Sequence, residues 1–314
     1  MTVGSPLNVA GILLTLITVA ALLIWVERRL LAIWQDRLGP NRVGPLGLFQ
    51  VVADMIKILS KEDWIPPFAD KPVFVIAPMV IMVTMLAAFA VVPVAPGIGV
   101  IDFSFGLLYF LALSSLSVYS LVLAGYASNS KYALLGALRA TAQTLSYEVF
   151  MGLSAMGVVM LAGTFDLRAI VEAQRDGWYV VPQFLGFVLF LIASVAESHR
   201  GPYDLPEAEN ELVAGFHLEY SGMKFGMFFV GEYVAITLSS AVIVTLFFGG
   251  WLGPGLPPVL WFALKTLAFI LFFILLRGAL PRPRYDQLMA FGWKAMLPLS
   301  LLNLLVTGGI VLWQ

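Results

Sequence analysis

Hydrophobic positions in this chain come in long unbroken runs, with no alternation of period two. Uncharged stretches cover Leu7–Val26, Val73–Ile101, Phe103–Ser130, Gly177–Ala196, Tyr233–Leu264 and Ala295–Gln314. Two further runs carry one internal charge each: Arg139–Phe165 is interrupted by Glu148, and Val259–Leu276 by Lys265. Crossing the hydrocarbon core of a bilayer takes about 20 apolar residues in a helix, and each of these runs is long enough. The segment "GGWLGPGLPP" (Gly249–Pro258) divides the longest run, because its Gly and Pro density marks a turn. The pattern predicts an all-α, polytopic integral membrane protein. Its single transmembrane domain spans 1–314, with eight transmembrane helices near 7–28, 73–95, 103–127, 133–162, 180–198, 223–248, 259–280 and 294–313.

One segment has a different period. The first long loop, "RLGPNRVGPLGLFQVVADMIKILSKEDWIPPFADKP" (Arg37–Pro72), sets Leu46, Leu48, Phe49, Val52, Met55, Ile56 and Leu59 against Gln50, Asp54, Lys57 and Lys61. That spacing gives an apolar and a polar stripe on a helix near 46–60, too short to span and suited to lying in the interface plane. Such a helix either anchors the loop or forms one wall of an entry passage for an amphiphilic ligand.

Composition agrees with the pattern: the chain is 60% hydrophobic and 12% charged, with a mean hydropathy of +0.93. Charge then sets the expected orientation. Of 18 basic residues, 15 fall at one end of the helix array: Arg28, Arg29, Arg37, Arg42, Lys57, Lys61, Lys71, Lys131, Arg139, Arg200, Lys224, Arg277, Arg282, Arg284 and Lys294. Arg168 and Arg175 lie at the other end, and Lys265 lies within a helix. By the positive-inside rule the basic end faces the cytoplasm (or a mitochondrial matrix), so both termini are expected outside. No basic residue precedes Arg28, so Leu7–Val26 reads as a retained first helix and not as a cleaved signal. The chain has no Cys, which excludes thiolate metal sites, cysteine-held iron–sulfur clusters and disulfides in it. No Gly-rich dinucleotide motif, phosphate loop or haem-attachment motif is present, and no basic tract suggests nucleic acid. His199 and His217 lack a partner at metal-ligand spacing and read as polar loop residues.

The scarce acids are concentrated. "AESHRGPYDLPEAENELVAGF" (Ala196–Phe216) holds five carboxylates, Glu197, Asp204, Glu207, Glu209 and Glu211, on the inside face. "DLPE" has the form of a helix start, with Asp204 as cap and Glu207 three residues on. A following helix puts Glu207 and Glu211 on one face, where like charges at i,i+4 repel. Either solvent screens them or they share a confined polar cavity as a proton reservoir. Two further acids lie inside expected spans. Glu148 is nine residues beyond Arg139 and Glu232 eight beyond Lys224, so about 13 Å and about 12 Å along their helices. Glu27 and Glu197 stand at inside helix ends. A charge in hydrocarbon costs at least ~2.5–3.5 kcal/mol, so such residues face water cavities or proton pathways. The pattern reads as a hydrated acidic channel entering the membrane from the inside face.

Four segments, in collinear order over essentially the whole chain, carry a family resemblance. They are "ERRLLAIWQDRLGPNRVGPLGLFQVVADMIKILSKED", "RATAQTLSYEV", "ESHRGPYDLPEAENELVAGFHLEYSGMKFGMFFVGEY" and "PRPRYDQLM" followed by "WKAMLPL". The chain resembles the quinone-chamber membrane subunit of respiratory complex I. The resemblance implies a non-redox subunit of the proton-pumping NADH:quinone oxidoreductase in the bacterial plasma (inner) membrane. Both termini would be periplasmic and the information-rich loops cytoplasmic. It implies a chamber for ubiquinone or menaquinone as substrate, capped by peripheral-arm iron–sulfur subunits and joined to neighbouring membrane-arm subunits. Flavin and iron–sulfur clusters would be held only by those partners, with no metal and no catalytic residue in this chain alone. Carried over by motif, Glu27, Arg28, Arg37, Asp54, Lys57, Asp204, Glu207 and Arg277 would line the quinone site. Glu148, Glu197, Glu209, Glu211 and Glu232 would form the channel, tuned by Arg139 and Tyr147. Tyr203 stands where many relatives carry Phe. Two other readings fit the same architecture: the equivalent membrane subunit of a hydrogenase or formate-hydrogenlyase complex, and an independent ion transporter.

Overall fold

The structure, a computed structural model, describes residues 2–205 and 215–313. Glu207, Glu209 and Glu211 lie outside the described residues. Among the described residues the regular structure is helical apart from a two-residue antiparallel ladder between β1 (Thr2–Val3) and β2 (Ile101–Asp102) and an isolated bridge between Ala95 and Ile98. The helices are α1 (Pro6–Trp34), α2 (Gln50–Ser60), α3 (Lys71–Phe89), α4 (Gly106–Ala127), α5 (Lys131–Ala162), α6 (Leu167–Ala173), α7 (Phe184–Glu197), α8 (Gly222–Phe247), α9 (Pro258–Ala279), α10 (Tyr285–Phe291) and α11 (Leu297–Trp313). Among the described residues, seven helical stretches are long and apolar enough to cross a membrane.

Several boundaries differ from the sequence reading, each for a local reason. α1 begins where expected, with the Ser5 hydroxyl accepting from the Asn8 N–H at 3.3 Å and Pro6 in the first turn. It runs on to Trp34, six residues past its expected end near 28, so Arg29 is helical as well. α2 starts at Gln50, because a 3₁₀ turn at Pro45–Gly47 with Gly44, Leu46 and Gly47 all at positive φ cannot join an α-helix. α7 has 14 residues, about 21 Å of helix against a hydrocarbon core of about 30 Å. The expected span 180–198 loses its first turn at Pro182, which disfavours helical backbone in the residue before it. The last stretch is longer than expected: α10, a π-helical segment Gly292–Met296 and α11 form one continuous rod. The π segment sits where Gly292 passes against the Phe150 ring, so close that a Cβ would lie 2.8 Å from it.

α8 is the centre of the bundle. From Gly231 to Phe247 every residue is buried, the signature of a helix surrounded by protein on all sides. α1, α3, α7 and α9 pack around it, α4 packs on α3 and α5, and α5 on α7 and α11. Small residues set the closest approaches: a Cβ on Gly125 of α4 would meet the Ala137 Cβ of α5 at 2.3 Å and the Ala133 carbonyl oxygen at 2.8 Å. The far end of α8 is capped by Lys265 of α9, whose ammonium donates to the carbonyls of Phe248, Gly250 and Leu252 at 2.7, 3.1 and 2.7 Å. Its charge lies 4.6 Å from the Trp178 ring centre and 5.6 Å from that of Trp261. The lone cation expected inside a helix is thus a plug for the orphan carbonyls of another helix end.

Gly125→Leu is expected to wedge α4 from α5 and destabilise the fold by about 1–3 kcal/mol or more. Thermal unfolding of the detergent-purified chain measures it, and an unchanged midpoint would mean that this approach is not tight.

Candidate functional site

Ionisable side chains gather at the end of the bundle where α1, α8 and α9 meet the Glu197–Leu205 segment. Glu27, buried on α1, contacts Arg277 at the end of α9. Arg200, also buried, donates from Nη1 to Glu27 Oε1 at 3.4 Å. Arg200 Nη2 lies 3.3 Å from Glu232 Oε2 on α8, so one guanidinium lies between two carboxylates from different helices. The face of that guanidinium lies 4.4 Å from the Tyr233 ring centre and 5.5 Å from that of Phe229. The aromatic faces replace part of the hydration that burial removes. Beside this group is a cavity of about 420 Å³, lined by Glu27, Arg28, Arg37, Phe229, Tyr233 and Arg277.

Phe229 also lines a second, apolar cavity of about 180 Å³ between α1, α2 and α8. Its walls include Ile24, Met55, Ile58, Met82 and Met227, and Asp54 stands at its margin. Asp54 accepts from Arg28 Nη1 at 2.7 Å and from Gln50 Nε2 at 3.1 Å, which ties α2 to α1. A narrow apolar space therefore shares a wall, Phe229, with a polar one. Lys57 is exposed on α2. Arg37 donates to Gln35 at 2.9 Å, and Asp204 accepts from Arg282 at 2.7 Å.

A second acid group lies between α4, α5 and α7. Glu148 of α5 accepts from the Ser115 hydroxyl of α4. Glu197 is buried at the end of α7, near Ser114 and Glu148. Tyr147, fully buried, donates to the Leu288 carbonyl at 3.0 Å and packs on Phe150 and Tyr203. The Arg139 guanidinium lies 5.0 Å from the Tyr285 ring centre. Gln143 Nε2 donates to the carbonyls of Ala196 and Tyr203 at 2.7 and 2.9 Å, fixing both ends of the turn that carries Arg200. Burial pushes the Tyr203 phenol above its ordinary value, so it stays neutral at physiological pH and can donate a hydrogen bond.

The structure thus brings Glu27, Arg28, Arg37, Asp54 and Arg277 together and pairs Glu148 with Glu197. Glu232, read from the sequence with the channel acids, is held by Arg200 next to Glu27. His199, read as a polar loop residue, is buried with Nε2 3.2 Å from the Thr144 hydroxyl. The same hydroxyl lies 3.0 Å from the Ala140 carbonyl oxygen, to which it can donate. Sequence reasoning passed over Arg200, although a lone arginine among five carboxylates was a visible signal. It also passed over Ser114 and Ser115, in a serine-rich stretch of an otherwise apolar helix.

Fold and site together define a multi-span helical membrane protein with carboxylates and arginines buried at one end of the bundle. The family model described as NADH dehydrogenase matches residues 7–308. The chain is also 76% identical, over 311 residues, to the H subunit of the NADH-quinone oxidoreductase of Methylococcus capsulatus, covering 99% of this chain and 98% of that protein. It belongs to this family.

Replacing Arg200 with Met leaves buried carboxylates without their shared cation, a change that typically costs about 3–5 kcal/mol. Adding Glu232→Gln to Arg200→Met is expected to recover a good part of the loss. Thermal melts of the two variants against wild type measure both effects, and a double variant no more stable than the single one would refute the pairing.

Proposed function

We propose that this chain is the membrane subunit of a proton-pumping NADH:quinone oxidoreductase that shapes the quinone chamber and starts the proton path. The single observation that carries the reading is Arg200 between Glu27, beside the polar cavity, and Glu232, inside the central helix. In this reading the apolar cavity under α2 admits the quinone tail, and α2 lies in the interface as one wall of the passage. Glu27, Arg28, Arg37, Asp54, Lys57, Asp204, Glu207 and Arg277 serve the chamber. Glu148, Glu197, Glu209, Glu211 and Glu232 carry protons, with Arg139 and Tyr147 setting their surroundings. α7 together with the turns at 178–183 makes an eighth crossing. The basic end faces the cytoplasm, both termini face the periplasm, and peripheral iron–sulfur subunits cap the chamber and deliver electrons.

The geometry around Arg200 supports the following mechanism. Quinone reduction takes up protons together with electrons, so it draws protons from acids near the head group. Arg200 is almost equidistant from Glu27 and Glu232, at 3.4 and 3.3 Å. Protonating either carboxylate leaves the guanidinium to the other. A unit charge pair at 4 Å is worth about 4 kcal/mol at an effective dielectric of about 20. A change of charge state at the chamber is therefore large enough to change proton occupancy at the neighbouring acid inside the membrane. Glu148 and Glu197, the second acid group, relay the change.

The test is made in inside-out membrane vesicles carrying the assembled complex with Glu232→Gln. NADH:quinone reduction and proton uptake, recorded together, are both expected to fall by about tenfold, the loss of an interaction worth roughly 1.4 kcal/mol. Normal values for both, with normal assembly, would reduce Glu232 to a structural partner of Arg200. Separately, Asp54→Ala is expected to raise the apparent KM for a long-tailed quinone several-fold, and an unchanged KM would return α2 to a membrane anchor.

A further inference from the structure

Two adjacent arginines near the end of α1 serve different neighbours. Arg28 reaches Asp54 of α2 and lines the polar cavity. Arg29, half-buried, turns instead to the loop 35–49 that joins α1 to α2. Its Nη1 donates to the Pro40 carbonyl at 3.1 Å and to the Leu46 carbonyl at 3.4 Å. Trp25, one turn earlier on the same face of α1, donates from Nε1 to the same Leu46 carbonyl at 3.2 Å. Between these donors the loop is folded double. Its first limb runs back over α1 at Gly39, where a Cβ would lie 3.1 Å from the Arg29 Cα. Its second limb lies on the first at Gly47, where a Cβ would lie 2.2 Å from the Pro40 carbonyl oxygen. Asp36, Gly44, Leu46 and Gly47 all have positive φ, and for Leu46, with no polar side chain to bond locally, that backbone is strained. Such a conformation persists only where its surroundings over-determine it. The Trp25 and Arg29 bonds to the Leu46 carbonyl supply that constraint.

Each limb leads to one cavity wall. Arg37, Gly39 and Pro40 on the first border the polar cavity. The second continues into α2, which starts at Gln50 and sets Asp54, Met55 and Ile58 along the apolar cavity. One guanidinium nitrogen therefore bonds a backbone carbonyl in each limb. We propose that Arg29 is a positioning residue for quinone binding: it clasps the two limbs and so fixes the head-group wall against the tail wall, without touching the quinone. The inference rests on the quinone-chamber reading above and adds a residue that the reading does not use. The Arg28–Asp54 pair still ties α2 to α1 when the clasp is lost, whereas the wall from Arg37 to Pro40 is then free to shift. A shifted head-group wall weakens binding whatever the length of the tail. Loss of the Asp54 tie weakens binding along the tail alone.

The test is NADH:quinone reduction by the assembled complex in membranes, with a short-tailed and a long-tailed quinone and rates expressed per assembled complex. Arg29→Met is expected to raise the apparent KM for both quinones about fivefold while kcat changes less than about twofold. Arg29→Lys, whose ammonium keeps donors for both carbonyls, is expected to recover most of that rise. A role in fold stability alone would lower the amount of assembled complex and leave KM where it was. An unchanged KM in Arg29→Met, beside a raised long-tail KM in Asp54→Ala, overturns the clasp and spares the chamber. Unchanged KM in both variants, with normal assembly, overturns the chamber reading and the clasp with it. A rise that Arg29→Lys leaves in full also overturns the clasp. Should Arg29→Met fail to assemble, Trp25→Phe, which removes only a bond to Leu46, takes its place. A raised KM for the long-tailed quinone then upholds the clasp, and an unchanged one overturns it.

Discussion

Removing a guanidinium from water costs several kcal/mol even after the protein relaxes around it, and two neighbouring carboxylates have the same problem. Arg200, Glu27 and Glu232 meet that cost jointly, and the surrounding structure is arranged to let them. The turn after α7 is held by Gln143 at Ala196 and Tyr203, so Arg200 enters at a fixed place. Tyr233 and Phe229 present ring faces to its plane, and Arg277 gives Glu27 a second cation. Removing any one member leaves the others buried with unbalanced charge. Among the described residues between α7 and α8, this charge cluster works alongside apolar packing, in which Leu205, Phe216 and Tyr220 are buried in the core.

The rest of the bundle solves the opposite problem, the lack of any hydrophobic drive between helices surrounded by lipid. Close contact must then come from small residues and from internally satisfied polar groups. Gly125 against Ala137 supplies the first kind. Gln183 and Asn303 supply the second: Asn303 donates to Gln183 at 2.9 Å and Gln183 donates to Thr307 at 2.7 Å, linking the start of α7 to α11. Lys265 acts similarly between α9 and the end of α8. Polar side chains at membrane depth are thus divided between two tasks. Some, at the charged end, are grouped around cavities, and others bond helix to helix.

Much of the fold was legible because hydrocarbon imposes its own spelling. A run of twenty apolar residues has few alternatives to a helix, so α4, α5, α8 and α9 lie within three residues of their expected limits, whereas α1 runs six residues further and α3 ends six residues earlier. The departures occur where a local backbone rule competes with hydropathy: Pro182 at the start of α7, the positive-φ turn before α2, and the π segment at Gly292. The site was legible in its acids, since a carboxylate among apolar neighbours stands out. Their grouping was not. Spacing along one helix says nothing of which carboxylate faces which arginine, so the contact of Arg200 with both Glu232 and Glu27 was not visible in it. Likewise nothing in the residue string marks His199 as buried, because its burial comes from the packing of a turn against α5.

α5 is 32 residues long, so it measures about 48 Å at 1.5 Å per residue. The hydrocarbon it crosses is about 30 Å thick, and transmembrane helices tilt by at most about 40°. Even at that limit the helix is longer than the slab, and the overshoot can be taken up at the end that carries Lys131 and Arg139. With that much length to spare, α5 acts as a stiff mast whose two ends cannot both lie within the oily interior. Its height is set by the count of residues between Ser130 and Gly163, so inserting a single residue there would turn the mast about 100° on its axis as well as lengthen it.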